Sequence, residues 1–297
     1  MSVEMRKGTS YSILSALVFG LTPILVSLSY ALGSDALTLT FYRNLMAIPV
    51  LLIVLLVRKI DLRINFRELM VTGLVALFNL ITMLILYDAY NYIGVGLATT
   101  LHFLYPICTV VLCRIFFQKR LDKAKIIALF LATAGIVIAT GESQAFAMKG
   151  IFLAVVSAAT YAVYMIGIEQ TAVKSIDSMK AMFYMCIVSS AVVFLWDLPS
   201  GNLVFDLGPK AMFYTFIVSI ANSAVGHVML IKGVKLIGAG NAAIFSMLEP
   251  VSGVVGGIIF LHEGMTVVKL ISCMMILAAV MIHILKDRRE EAVENNS

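Results

Sequence analysis

The chain has 297 residues, 61% hydrophobic and 13% charged, with a mean hydropathy of +1.00. Soluble domains are about 45–50% apolar and about 25% charged, so no water-soluble fold of this length hides so much apolar surface. The net charge of +5 would suit nucleic acid, but the basic residues stand at the ends of apolar runs, where membrane orientation signals stand, and nucleic acid is excluded as a partner.

Lipid cannot satisfy an open backbone, and the apolar runs lack the alternation of barrel strands, so they read as helices. A helix of about 20 apolar residues crosses the hydrocarbon. In chain order such runs fall at 10–31, 36–57, 69–87, 95–117 and 124–140, then at 150–168, 179–196, 212–231, 239–261 and 267–285. Arg6 and Lys7 precede a first run too long for a signal-peptide core, which is expected to be an uncleaved span. With the N-terminus in the cytoplasm, 18 of the 22 lysines and arginines collect at cytoplasmic ends, which places both termini on that side. Cys108, Cys113, Cys186 and Cys273 lie inside apolar runs without a CxxC pair, so neither a disulfide framework nor a zinc site is expected.

The second half of the chain echoes the first. At a displacement of 142, Asp35 and Phe41-Tyr42 fall on Asp177 and Phe183-Tyr184, and Ser15 falls on Ser157. At 144, Ile93-Gly94 falls on Ile237-Gly238, Pro106 on Pro250, Phe116 on Phe260 and Lys125 on Lys269. The expected fold is therefore an all-α integral membrane protein, its ten transmembrane helices forming two five-helix repeats, 1–146 and 147–286, with a disordered cytoplasmic tail at 287–297. Five spans are an odd number, so the second repeat enters from the opposite side and the repeats are inverted, a recurring build of secondary transporters. The loop 118–123 carries Lys119, Arg120 and Lys123, whereas its counterpart 262–267 carries no lysine or arginine.

Polar residues inside the spans are the candidates for chemistry. Glu249 stands mid-span, and His102 and Tyr105 are one turn apart in the fourth span. The repeat register places Ser246 and Glu249 as their counterparts, beside Pro106 and Pro250, which withhold backbone donors. Asn79 matches Ser223, and His227 follows four residues on; these are candidate wall residues. Tyr161 and Tyr164 form a stripe with Ser157 that lines a cavity or belts an interface. Glu249 and His102 are the candidate proton-coupling pair, metal is not expected because His102 has no second ligand at i+4, and Arg43 reads as a structural charge. Aromatic walls around one acid suit an amine or quaternary ammonium group through cation–π attraction, and an amino acid equally. Gly253 and Gly257, like Ala128 and Ala132, form small-residue faces for close helix packing.

Leu248-Glu249-Pro250-Val251, Gly256-Gly257, Phe260-Leu261-His262-Glu263, the echo Leu104-Tyr105-Pro106 with Ala134-Gly135-Ile136-Val137, Phe19-Gly20 and Arg43 together resemble the drug/metabolite transporter superfamily, in its ten-helix EamA-type members, over residues 10–285. Phe19 stands where tryptophan is usual, and Lys119 where an acid is usual, read as a change of interfacial charge. The resemblance implies metabolite or amino-acid export through the cytoplasmic membrane, with the first, third, fourth, sixth, eighth and ninth helices around the cavity. The expected function is secondary transport of small polar metabolites by alternating access. Import of an amine such as choline is the alternative, and an intramembrane enzyme or a receptor are readings of another class. HExxH, GxSxG and P-loop signatures are missing from the sequence. The partners expected are a small-molecule substrate and the lipid bilayer, with no cofactor, the protein acting as a monomer or homodimer.

Overall fold

The computed structural model describes residues 3–119, 123–139, 147–261 and 266–294. Loop residues 120–122 and 262–265, on which the expected charge contrast rests, lie outside these, as do residue 140, the repeat boundary at 146 and the final 295–297. Helices α1 (Val3–Tyr30), α2 (Ala36–Val57), α3 (Phe66–His102), α4 (Tyr105–Phe117) and α5 (Lys123–Ala139) precede α6 (Met148–Gln170) and α7 (Ser178–Asp197). Then come α8 (Pro209–Val218), a π-helical stretch Ser219–His227, α9 (Val228–Ile237), α10 (Ala239–Ser246), α11 (Glu249–Leu261) and α12 (Val267–Glu294). No strand occurs among the described residues. Nine stretches among them are long and apolar enough to cross a membrane, and the 17-residue α5 adds a tenth apolar helix.

Several spans are composite. Along α3 and α6, Val75 meets Gly167, Thr82 Oγ1 lies 2.7 Å from Thr160 Oγ1, and Ile93 meets Gly150, an antiparallel pairing. His102 then returns to Ser157. The chain therefore turns back between Ile93 and His102, so α3 supplies the third span and the first part of the fourth. The fourth span, Leu97–Phe117, is broken at Phe103-Leu104, and the ninth, Ala239–Phe260, at Met247-Leu248. The two breaks are 144 residues apart, each just before a proline. Each proline lacks the N–H that would bond the carbonyl four residues back, that of His102 or Ser246.

Local chemistry also recurs at the other displacement. Asp35 caps α2, accepting from Leu37 N (2.8 Å) and Thr38 N (2.9 Å), and Asp177 caps α7, accepting from Met179 N (2.8 Å) and Lys180 N (3.2 Å). The last helix continues to Glu294, through Lys, Arg, Glu and Ala, good helix formers that extend an existing helix without a new nucleus.

Packing is highly regular. The third span lies along α6 and the first along α9; α4 lies on α6 and α11 on α1; α3 meets α7, and α2 the π stretch; α2 pairs with α7, α4 with α10, and α5 with α12. Replacing every span by the one five places on leaves these nine pairs unchanged, whereas the smaller contacts of α6 with α9 and α10, and of α11 with α12, have no counterpart of like extent. Phe116, Phe130, Phe152 and Phe260 are 62–76% exposed, while Ser15, Ser157, Ser219 and His227 are buried. The apolar surface faces outward and the polar groups inward, as lipid requires.

The tightest crossing brings α1 to α11. A Cβ at Gly20 would lie 1.8 Å from Ser252 Oγ and 2.2 Å from the Glu249 carbonyl oxygen, and Gly253 sits opposite. Ser252 Oγ meanwhile donates to the Ala16 carbonyl at 3.2 Å. Gly20→Val should therefore cost about 1–3 kcal/mol by overpacking, whereas Gly73→Ala, whose nearest neighbour is Val188 Cγ2 at 3.7 Å, should unfold with the parent. Thermal unfolding of the detergent-purified variants checks both.

Candidate functional site

The two helix breaks meet in the interior. His102 ends α3 and Tyr105 begins α4; Ser246 ends α10 and Glu249 begins α11. The Tyr105 hydroxyl reaches Glu249 Oε1 at 3.5 Å, the outer limit of hydrogen bonding. Ser246 Oγ donates to the Ala242 carbonyl at 3.1 Å. Glu249 is half-buried and occupies the first turn of α11, where the helix dipole favours a negative charge. Tyr105 and Ser246 are buried to within 1%.

From this junction a line of rings runs through the protein. The His102 ring lies 5.4 Å from Tyr105 and 5.5 Å from Tyr161; Tyr105 and Tyr161 pack edge to face at 4.7 Å; Tyr161 and Tyr164 are 5.4 Å apart; Tyr164 and His227 are 6.3 Å apart. His102 Nδ1 is 3.0 Å from Ser157 Oγ, which donates to the Ala154 carbonyl at 2.6 Å, so His102 Nδ1 carries the proton in this pair. Tyr105 stands between His102 and Glu249, linking the two expected proton-coupling groups. Tyr161 and Tyr164 face the interior, 5% and 0% exposed, and do not belt an interface; the opposite face of α6, with Phe152, is the exposed one.

The far end of this line is built on the π stretch. His227 Nδ1 lies 3.0 Å from the Asn222 carbonyl and Nε2 lies 3.4 Å from Asn79 Nδ2. Asn79 and His227 thus meet, while Ser223 Oγ is buried and unpartnered nearby in the chain. The sequence reads Ser223 and His227 as one α-helical turn apart; the π geometry changes that spacing, and such bulges are frequent at functional sites.

Sequence reasoning gave no site role to three residues. Phe19 packs its ring 4.8 Å from His227. Ser15 Oγ donates to the Gly226 carbonyl at 2.9 Å. Glu169 ends α6, forms an ion pair with Lys119 and accepts from Ala239 N at 2.9 Å. The change to lysine at 119 is therefore not only interfacial charge. Phe19 is visible through its family motif and Ser15 through its match to Ser157; Glu169 carries no pattern, and the contacts of Ser15 and Glu169 are hidden because their partners lie 211 and 50 residues away.

The EamA-like transporter family model matches residues 6–141 and 148–285. The chain belongs to this family. Its relatives include an "Uncharacterized transporter" of Archaeoglobus fulgidus, 26% identical over 279 residues and covering 94% of this chain and 96% of that one. Another is the "Uncharacterized transporter YcbK" of Bacillus subtilis, 21% identical over 284 residues, with 91% and 90% covered. A crystal structure at 18% identity superposes with a TM-score of 0.83 over 96% of this chain and 98% of the other, so this EamA-family chain shares that fold.

Ser157→Ala should leave the buried His102 Nδ1–H without its acceptor and cost about 1–3 kcal/mol. A lowered midpoint in detergent thermal unfolding is the expected reading, with Ser175→Ala, at an exposed turn bond, as the silent control.

Proposed function

We propose that this EamA-family protein is a secondary transporter of small polar metabolites such as amino acids, working by alternating access through the cytoplasmic membrane. Export is the proposed direction, and a proton at Glu249 and His102 the proposed coupling. The observation that carries the reading is the meeting of two interrupted spans at Tyr105 and Glu249. Broken helices at the midplane give transporters polar backbone and dipole ends for a substrate, and are tolerated only where protein or a cavity covers them. The doubled family match and the recurrence of nine span pairings under a five-span shift support two inverted halves, whose exchange of conformation would open one face and then the other.

Alternation needs a closed face. Where α4, α6 and α10 end together, Lys119, Glu169 and Ala239 N form one network, on the side that the distribution of lysine and arginine makes cytoplasmic. Cys113, buried to within 2%, lines a small pocket there with Lys119, Lys125 and Gly238. We read this network as the cytoplasmic gate in its closed state. The ring line beside Glu249 also suits import of an amine, since aromatic faces attract an ammonium group. Both readings use the same carboxylate.

Two measurements test this. In proteoliposome counterflow of labelled amino acids, Glu249→Gln should flatten the dependence of rate on pH; an unchanged pH profile removes Glu249 from proton coupling. In a variant whose only cysteine is Cys113, Glu169→Gln keeps an acceptor for Ala239 N but loses the ion pair. Its labelling by a maleimide should quicken severalfold, and an unchanged rate argues against a gate.

A further inference from the structure

Arg43 lies in the second span, is 6% exposed, and its Nε–H is fully enclosed without a hydrogen-bond partner. It makes no ion pair with any described residue. Its backbone carbonyl accepts from Ser219 Oγ at 2.7 Å, at the first residue of the π stretch, along which α2 packs.

Arg43 is not alone in lacking a partner. Asn79 Oδ1, Tyr164 OH, Asn222 Oδ1 and Ser223 Oγ are also enclosed and unpartnered, and Asn79, Asn222 and Tyr164 all adjoin His227. Buried polar groups are normally satisfied, so each exception calls for an explanation, and a buried charge without a counter-charge is among the costliest features a fold can keep. A purely structural role would give the guanidinium a carboxylate or a set of carbonyls. Here the protein supplies neither. It supplies a permanent cation and two hydroxyls around one bulge, donors to a carboxylate, which a guanidinium can grip with two parallel bonds, beside two amide oxygens that can only accept.

We propose that Arg43, with Tyr164 and Ser223, forms an anion subsite that binds the carboxylate group of the transported solute. The proposal rests on the transport reading and deepens it. The site then has two poles, Glu249 at the helix breaks and Arg43 at the π bulge, joined by the ring line Tyr105, Tyr161 and Tyr164. A solute bearing a carboxylate is retained at the second pole, and an amine without one is not. This separates the amino-acid reading from the choline-like one by a single residue.

The test has two arms. In the first, purified protein is unfolded thermally in detergent with glycine, phenylalanine or benzoate, each against its neutral amide at equal ionic strength. At least one acid should stabilise the parent where its amide does not. Arg43→Gln should weaken that acid about ten- to a hundredfold, Arg43→Lys should recover part of it, and the empty Arg43→Gln protein should unfold no earlier than the parent, since it loses an uncompensated charge. Amides that stabilise as well as acids, no acid that stabilises, or an Arg43→Gln protein that keeps the discrimination or melts markedly early would each overturn the proposal. In the second arm, counterflow of a labelled amino-acid mixture is measured in proteoliposomes. Loss in Arg43→Gln with activity in the parent supports the subsite, and equal activity in both overturns it while leaving transport intact. A parent that exchanges nothing would count against transport itself, and the unfolding arm would still decide the role of Arg43.

Discussion

A hydrocarbon surrounding offers no partner to a free backbone N–H or C=O, and the architecture of this protein follows from where it lets that rule lapse. The spans are unbroken on the lipid side; the interruptions at Phe103-Leu104 and Met247-Leu248 are covered by neighbouring helices. Each interruption needs a proline after it and close packing around it. The α1–α11 crossing shows how close: Gly20 faces the Glu249 carbonyl with no room for a Cβ. The two features that place Glu249, a break in its helix and a glycine beside it, are thus one arrangement.

The interior adds many polar groups to an apolar core, and the outer surface is apolar. Serines, threonines, histidines and an arginine are buried while phenylalanines and leucines face outward. In such an interior each ionisable group is expensive, and the protein handles its charges differently. Glu169 has Lys119 and the α10 amide; Glu249 has a tyrosine hydroxyl and a helix N-terminus; Arg43 keeps an enclosed Nε–H without a partner. The first is a satisfied pair at a helix junction. The last retains unspent bonding capacity, which a scaffold avoids.

The span pairing gives this chemistry a mechanical setting. Nine span pairings map onto one another when the spans are advanced by five, so a contact made by a span of the first half of the chain recurs in the second. The ring line from Tyr105 to His227 crosses between the halves, since Tyr105 and His227 lie on opposite sides of the midpoint while Tyr161 and Tyr164 come from α6.

Much of this was legible in the residues. Hydropathy and span length set the all-helical membrane fold, and Asp35 with Asp177, and Pro106 with Pro250, announced equivalent caps and equivalent breaks, because capping and proline chemistry act within a few residues along the chain. Glu249, His102 and Tyr105 could be singled out because polar groups in long apolar runs are costly wherever they end up. Tertiary structure alone decided what those groups touch. That Tyr105 reaches Glu249, that Lys119 pairs with Glu169, that the eighth span carries a π stretch and that Arg43 faces the interior without a counter-charge all depend on helices far apart in sequence. Local periodicity says which face of a helix is polar, and only the packing of one helix on another says which partner that face will meet.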